Sequence, residues 1–320
     1  MTDLAAAIDR ILESADFVLG WGRDEETGVA EPARFHSTEE SVSAVLDSTC
    51  VHNLAVHLPR LKDRTVGIVA KSCDVRSVAQ LIVEGEVDRG RVKVIGVTCA
   101  AGMLDVKAIW RRFGYGARID DPGDILTVGG QQFDRSEYLM GKCRDCAGAE
   151  PVIHDELVEM PGPAPDPARG VPGESKHAPA GGATTLQQKF EAMPAVERRA
   201  FWREQFSRCI RCYACREACP MCFCRDVCTM QTTEPHWAGG ETNARESEMV
   251  QHVRVNHLAG RCTGCGECER ACPVGIPLML LLSEQNRIIE EMFDYRAGTD
   301  LKAKPPLLTF DIKNDSWGGG

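Results

Sequence analysis

The run Cys209-x2-Cys212-x2-Cys215-x3-Cys219-Pro220 recurs as Cys262-x2-Cys265-x2-Cys268-x3-Cys272-Pro273. Few local patterns restrict a fold so tightly. Steps of two residues let three thiolates from one turn of chain wrap one face of an iron–sulfur cube, while the fourth leaves with a helix and ligates the other cube. The duplication therefore predicts two [4Fe-4S] clusters, one on Cys209, Cys212, Cys215 and Cys272, the other on Cys262, Cys265, Cys268 and Cys219. Zinc also takes thiolates at two-residue spacing, but three such steps closed by Cys-Pro and repeated are not its habit. The chemistry that follows is one-electron transfer, which zinc cannot perform.

Composition narrows the setting. Sixteen cysteines would not persist as disulfides in a reducing compartment, so metal ligation is their leading use. The 37 basic against 47 acidic residues leave a net charge of −10, which opposes a nucleic-acid partner. Pro273 to Leu282, the longest uncharged apolar run, is about half of what a bilayer crossing requires. No membrane span is expected. The opening "MTDLAAAIDRILESADFVLG" has acids where a secretory signal has bases, and reads as an amphipathic helix with Leu4, Ile8, Ile11 and Ala15 on one stripe. These features predict a cytoplasmic chain.

Four regions separate along the sequence. Residues 1–158 alternate strand-like and helix-like segments, with "TVGIVAKS" and "RVKVIGVTC" as buried strands, and predict an α/β domain of the parallel-sheet type. Residues 159–185 are rich in Pro and Gly and read as a linker. Residues 186–297 have helix-favouring composition, with Pro194 restarting a helix, and carry the two cysteine motifs in an all-α domain. Residues 298–320 read as an extended tail.

The connection between Cys219 and Cys262 contains "ESEMVQHVRVNHLAG", which reads as helix, and is longer than in compact ferredoxins with a β framework. With "HLAGRCTGCGECERACPVGIPL", it resembles the helical ferredoxin domain of the heterodisulfide reductase small subunit and related iron–sulfur subunits, over roughly residues 186 to 293. His252 and His257 could donate hydrogen bonds to cluster sulfurs, or simply be partly exposed helix histidines. Arg198, Arg199, Arg203, Arg208, Arg211 and Arg216 form a basic concentration that offsets cluster charge, steers a partner, or lines a solvated face.

In the first domain, Cys73 and Cys99 each fall where a predicted strand ends. In a parallel sheet such ends share one edge, where ligands bind. Cys143-x2-Cys146 completes a set of four. The order "KSCD", "GVTC" and "KCRDC" resembles the beta-subunit family of deazaflavin-reducing hydrogenases and formate dehydrogenases. That resemblance implies a third [4Fe-4S] cluster on Cys73, Cys99, Cys143 and Cys146. It also implies FAD, although the chain holds no G-x-G-x-x-G sequence. Cys50 reads as a buried apolar cysteine, the alternative being a substitute ligand. Cys222, Cys224 and Cys228 are left over, either completing an extra metal site or packing beside the clusters.

No nucleophile, general-base pair or phosphate loop is recognisable. The expectation is an iron–sulfur electron-transfer subunit in a hetero-oligomer. The resemblances imply a catalytic partner of formate dehydrogenase, hydrogenase or heterodisulfide-reductase type, with a flavin subunit or carrier. The alternative is a flavin-containing oxidoreductase that itself reduces a deazaflavin or nicotinamide. A zinc-stabilised binding module requires zinc in place of iron.

Overall fold

A computed structural model describes residues 3–99, 102–121, 125–144, 146, 150–160, 189–224, 228–230 and 239–309. Helix α1 spans Leu4–Leu12, its first turn capped by the Asp3 carboxylate, which accepts from Ala5 N. Ile8 and Ile11 are buried on its inner stripe. The sequence reading ran this helix on through Gly20, and the structure corrects it. The chain turns after Leu12, and Phe17–Arg23 is strand β1, leaving Ala15 outside the helix. The reason is the sheet: Asp16 exchanges hydrogen bonds with Thr65 and feeds β1 into register beside the next strand.

That neighbour is β3, Val66–Lys71, reached through β2 (Ala30–Phe35) and a short helix α2 (Thr38–Ser41). Every residue of β3 is buried. A continuous apolar run of this kind belongs to a strand covered on both faces. A Cβ at Gly67 would lie 2.6 Å from Ile11 Cγ2, so α1 packs on β3 at a distance only glycine allows. Helix α3 (Ser72–Val83) follows, then β4 (Val92–Thr98) and α4 (Val106–Phe113). A three-stranded antiparallel sheet comes next, of β5 (Ile119–Asp120), β6 (Ile125–Val128) and β7 (Gln131–Asp134). Its hairpin turns on Gly129 and Gly130, both at positive φ, the geometry a two-residue turn needs. Helix α5 (Gly141–Arg144) and strand β8 (Glu156–Glu159) close the region.

The main sheet has the order β2-β1-β3-β4-β8, parallel except for β2, which pairs antiparallel with β1 and carries Pro32 at the edge. The parallel α/β expectation holds here. The antiparallel strand, β8 and the small sheet were not anticipated. The Pro/Gly-rich segment expected as a linker falls mostly in 161–188, outside the described residues.

Helices dominate the rest: α6 (Ala195–Ser207), α7 (Ala214–Glu217), α8 (Ala244–His257), α9 (Glu267–Ala271) and α10 (Leu278–Phe293). Pro194 stands at the N-cap of α6, and Asn243 caps α8 by accepting from Glu246 N. Among the described residues from 189 onward there is no strand.

The two parts share one apolar core, running from Ile8 in α1 to Leu282 in α10. Polar clamps surround it. Lys107 Nζ, from α4, donates to the carbonyls of Glu269, Arg270 and Cys272 at the end of α9, where a cation favours the helix dipole. Ser77 and Thr263 hydroxyls meet at 2.8 Å, and Arg261 pairs with the buried Glu84 at 2.5 Å. From the first part of the expected tail, Gly298 N joins Tyr295 OH in donating to Gln80 Oε1 of α3, each at 2.9 Å.

His52 sits at this interface, 3.1 Å from Arg270 Nη2. Burial, then the Arg270 charge, pulls its pKa from 6.5 down to about 4. The unfolded chain therefore binds this proton at a pH where the folded chain refuses it. Stability is full above pH 6.5 and declines as pH falls toward 4, by ~3 kcal/mol for this group. His52→Gln should remove that part of the slope, read as urea-unfolding free energies at about pH 7 and about pH 4.

Candidate metal centre

Each cysteine motif is a loop followed by a short helix, α7 in the first and α9 in the second, and these two helices pack together. The loops share a backbone signature. Gly264 and Gly266 lie at φ 73° and 76°, and the corresponding positions of the first motif, Arg211 and Tyr213, lie at φ 51° and 58°. Only glycine enters this region freely, so the first motif carries roughly 1–2 kcal/mol of strain per residue. Packing compensates: Arg211 is buried and donates to the carbonyls of Gly239 and Glu241 and to Tyr213 OH. The repeat is thus a repeat of conformation as well as of spacing.

Two cavities lie along these loops. One is lined by Cys209, Cys212, Cys215 and Cys272 with Ile210, Val250 and Ile276. The other is lined by Cys219, Cys262, Cys265 and Cys268 with Arg254, Leu258 and Leu282. Each cavity therefore takes three cysteines from one motif and the fourth from the other. Among the described residues no three Cys, His, Asp or Glu side chains converge tightly enough to hold a single metal ion. Most of the eight thiols are buried, and burial pushes Cys215, Cys262 and Cys268 up and Cys265 to about 12. Left as thiols, they would stay protonated; metal binding releases those protons.

A second observation fits anionic groups at these sites. Arg254 is 1% exposed. Its Nη2 donates to Cys215 O at 3.0 Å, while its Nε and Nη1 are buried without a hydrogen-bond partner. One turn earlier, Gln251 Nε2 reaches Cys209 Sγ at 3.5 Å. Sequence reasoning missed both and singled out the histidines. His252 instead is exposed on the outer face, near Glu248 and against the Phe206 ring, and His257 meets Thr229. The signal was present as Ser247, Gln251 and Arg254 at helical spacing, but a polar row reads as a solvated face until its burial is known.

In the first domain, β3 and β4 end side by side. Cys73 lies in the first turn of α3 and Cys99 directly follows β4. The Leu104–Leu139 bridge brings α5 to the same edge, so that Cys143 Cβ is 3.1 Å from where a Gly102 Cβ would be. Cys146 is exposed just beyond. Cys143 acts electrostatically on both Cys73 and Cys99, and Cys146 on Cys99. Burial pushes Cys99 to about 11 and raises Cys73 and Cys143. Cations surround the set. Lys71, fully buried, pairs with Asp74 at 2.5 Å and donates to the carbonyls of Cys50 and His52. Lys142 Nζ lies 3.9 Å from Cys73 Sγ and donates to Cys265 O, so one ammonium touches both this set and the second ferredoxin loop.

Of the remaining cysteines, Cys222, Cys224 and Cys228 lie around Cys219 and Arg216. Cys222 shares a hydrogen bond with Cys219. Cys222 and Cys224 line an open cavity of about 300 Å³ with Arg60, Arg216 and Glu217. Cys228 is buried in a separate small cluster with Met230 and Val250, hydrogen-bonded to Arg216. Cys50 is buried, as its surroundings in sequence suggest, and burial beside Asp47 raises it to about 12. Of the basic concentration, Arg211 lies within the first cysteine loop and donates to Glu241 O, Arg216 donates to Cys224 O, and Arg208 binds Gln205. No helix among the described residues is long and apolar enough to cross a membrane.

A family model described as a 4Fe-4S dicluster domain matches residues 204–276. The F420-dependent formate dehydrogenase subunit beta of Methanocaldococcus jannaschii is 32% identical over 122 residues, and its counterpart, the formate dehydrogenase 1 subunit beta of Methanococcus maripaludis, is 28% identical over 122. These matches cover 38% of this chain and 30% and 29% of those relatives, so the chain spans under a third of their length. A solved structure of the F420-reducing [NiFe] hydrogenase complex from Methanosarcina barkeri aligns with a TM-score of 0.33 and 14% identity, over 45% of this chain and 57% of that one. Residues 204–276 thus match a 4Fe-4S dicluster domain, and a stretch of 122 residues is similar to F420-dependent formate dehydrogenase beta subunits.

Proposed function

We propose that this chain is the electron-relay subunit of an oxidoreductase complex, passing single electrons between a catalytic partner of formate dehydrogenase, hydrogenase or heterodisulfide-reductase type and a flavin subunit or carrier. In this reading Cys209, Cys212, Cys215 and Cys272 hold one [4Fe-4S] cube and Cys219, Cys262, Cys265 and Cys268 a second. Cys73, Cys99, Cys143 and Cys146 hold a third. An iron–sulfur cube, when bound, supplies storage of one electron at a time. The domain division that goes with this is 1–158, a linker over 159–185, the ferredoxin domain over 186–297 and a tail from 298.

The observation that carries the proposal is the order of the three sets. Arg254 acts on Cys215 of the first set and on Cys219 and Cys268 of the second. Lys142 and Arg76 act on Cys265 of the second and Cys73 of the third. The sets thus follow one another, each adjoining the next through a shared buried cation. A line of adjoining centres of this kind lets single electrons pass from one to the next. The protein's own part is to exclude water with the shared core, to hold the thiolates in place, and to fix charge between the sets.

The test is spectroscopic. In the complex purified with its native partners, the broad visible absorption of this chain's clusters should bleach when the electron-donating substrate is added and recover with the acceptor. Clusters that stay oxidised throughout turnover would overturn the proposal.

A further inference from the structure

Helix α8 presents Ser247, Gln251 and Arg254 on one face, at spacings of four and three residues. The row is buried, at 0%, 3% and 1% exposure. A buried helix face is ordinarily apolar, and this one instead addresses the first ferredoxin loop: Ser247 Oγ donates to Cys209 O, Gln251 to Cys209 Sγ, and Arg254 to Cys215 O.

Arg254 is the member that the protein atoms leave unbalanced. Two of its three nitrogens lack hydrogen-bond partners, and among the described residues no carboxylate pairs with it. The groups that act on it are Cys268, Cys219, Cys215 and Cys222. An uncompensated guanidinium costs several kcal/mol to bury, so its retention calls for anionic neighbours on the side where those nitrogens point. Cys215 belongs to the first candidate ligand set, Cys219 and Cys268 to the second.

We propose that Arg254 is the shared counter-charge of both ferredoxin centres, a positioning residue that raises the reduction potential of each. The inference rests on the relay reading above and adds what sets its energetics. Reduction adds negative charge, and in a medium of low dielectric a cation a few ångströms away stabilises the reduced form more than the oxidised. Placed between the centres, the same cation also offsets the repulsion that an electron on one exerts on an electron arriving at the other. Arg76 stands at the next gap: its Nε is buried and unpartnered and its Nη2 donates to Ala297 O, and Cys262, Cys73 and Cys265 act on its charge, with Arg296 opposing them.

The test is a reductive titration of the loaded full-length chain followed by electron paramagnetic resonance, with iron counted on each sample. Arg254→Gln keeps a donor for Cys215 O and removes the charge. It should shift both ferredoxin midpoints toward the oxidised form by at least tenfold in the reduction equilibrium, ~59 mV for a one-electron couple. Arg254→Lys should recover most of that shift, and Arg76→Met should lower the second centre while leaving the first unchanged. Unchanged midpoints in an iron-replete Arg254→Gln chain overturn the inference and leave the relay reading intact. If the neutral variant fails to hold its iron, Arg254→Lys decides. Iron retained by the lysine chain supports a role for the charge; iron lost from it as well assigns Arg254 to packing and overturns the proposal. A wild-type chain without iron–sulfur centres overturns both readings.

Discussion

A chain carrying Cys219→Ala and Cys265→Ala together is expected to lose only about four irons, while one carrying Cys215→Ala and Cys219→Ala is expected to lose about eight. The first pair is split between the two sequence motifs, the second drawn from one. Linear assignment of one cluster per motif predicts the reverse. The expectation follows from the cavities: Cys219 lines the one formed by Cys262, Cys265 and Cys268, and Cys215 lines the one formed by Cys209, Cys212 and Cys272. Alanine is the informative replacement because serine oxygen can remain a ligand. The measurement is iron and acid-labile sulfide per chain on anaerobically purified variants. Cys50→Ala is the control and should lose none, since the Cys50 thiol is buried against Val45 O and lines neither ferredoxin cavity.

Gly298→Ala is expected to unfasten the ferredoxin helices from the α/β domain. Gly298 lies at φ 71°, and a Cβ there would sit 2.0 Å from Arg76 O and 2.7 Å from its carbonyl carbon. That is backbone against backbone, so no side-chain rotation relieves it. Left-handed strain and overpacking each cost about 1–3 kcal/mol, giving about 2–6 kcal/mol together. The loss should fall on the docking contacts, because Gly298 N, Tyr295 OH and Arg76 Nη2 all tie the segment after α10 to α3. Denaturant unfolding should split into two transitions, and amide exchange should accelerate at Gln80 and Arg76 before it does in β3. A single wild-type-like transition would show that this segment bears no such load.

The cysteine motifs were legible in the sequence because their ligands are spaced within one turn of chain, and local spacing needs no knowledge of the fold. The parallel strands β3 and β4 were legible for a similar reason: each is a short unbroken apolar run, and a cysteine follows each one. Strand β1 was hidden because Phe17–Gly20 follows directly on an amphipathic helix, and only pairing with β3 stops that helix. Strand β8 is four residues with a single fully buried side chain, Val158, too little pattern to register. The candidate centre's electrostatics were least visible. Arg76, Lys107, Lys142 and Arg254 look like ordinary surface cations in sequence, and they acquire meaning only when folding packs them against cysteines and backbone carbonyls distant in sequence. His252 attracted notice by residue type alone, while Gln251 beside it makes the contact with Cys209.

Counting iron and acid-labile sulfide on the wild-type chain, purified without oxygen, tests the central claim most directly. The account predicts about twelve of each per chain, four for every cube. About eight would remove Cys73, Cys99, Cys143 and Cys146 from the relay, and zinc in place of iron at the ferredoxin loops would contradict the account as a whole.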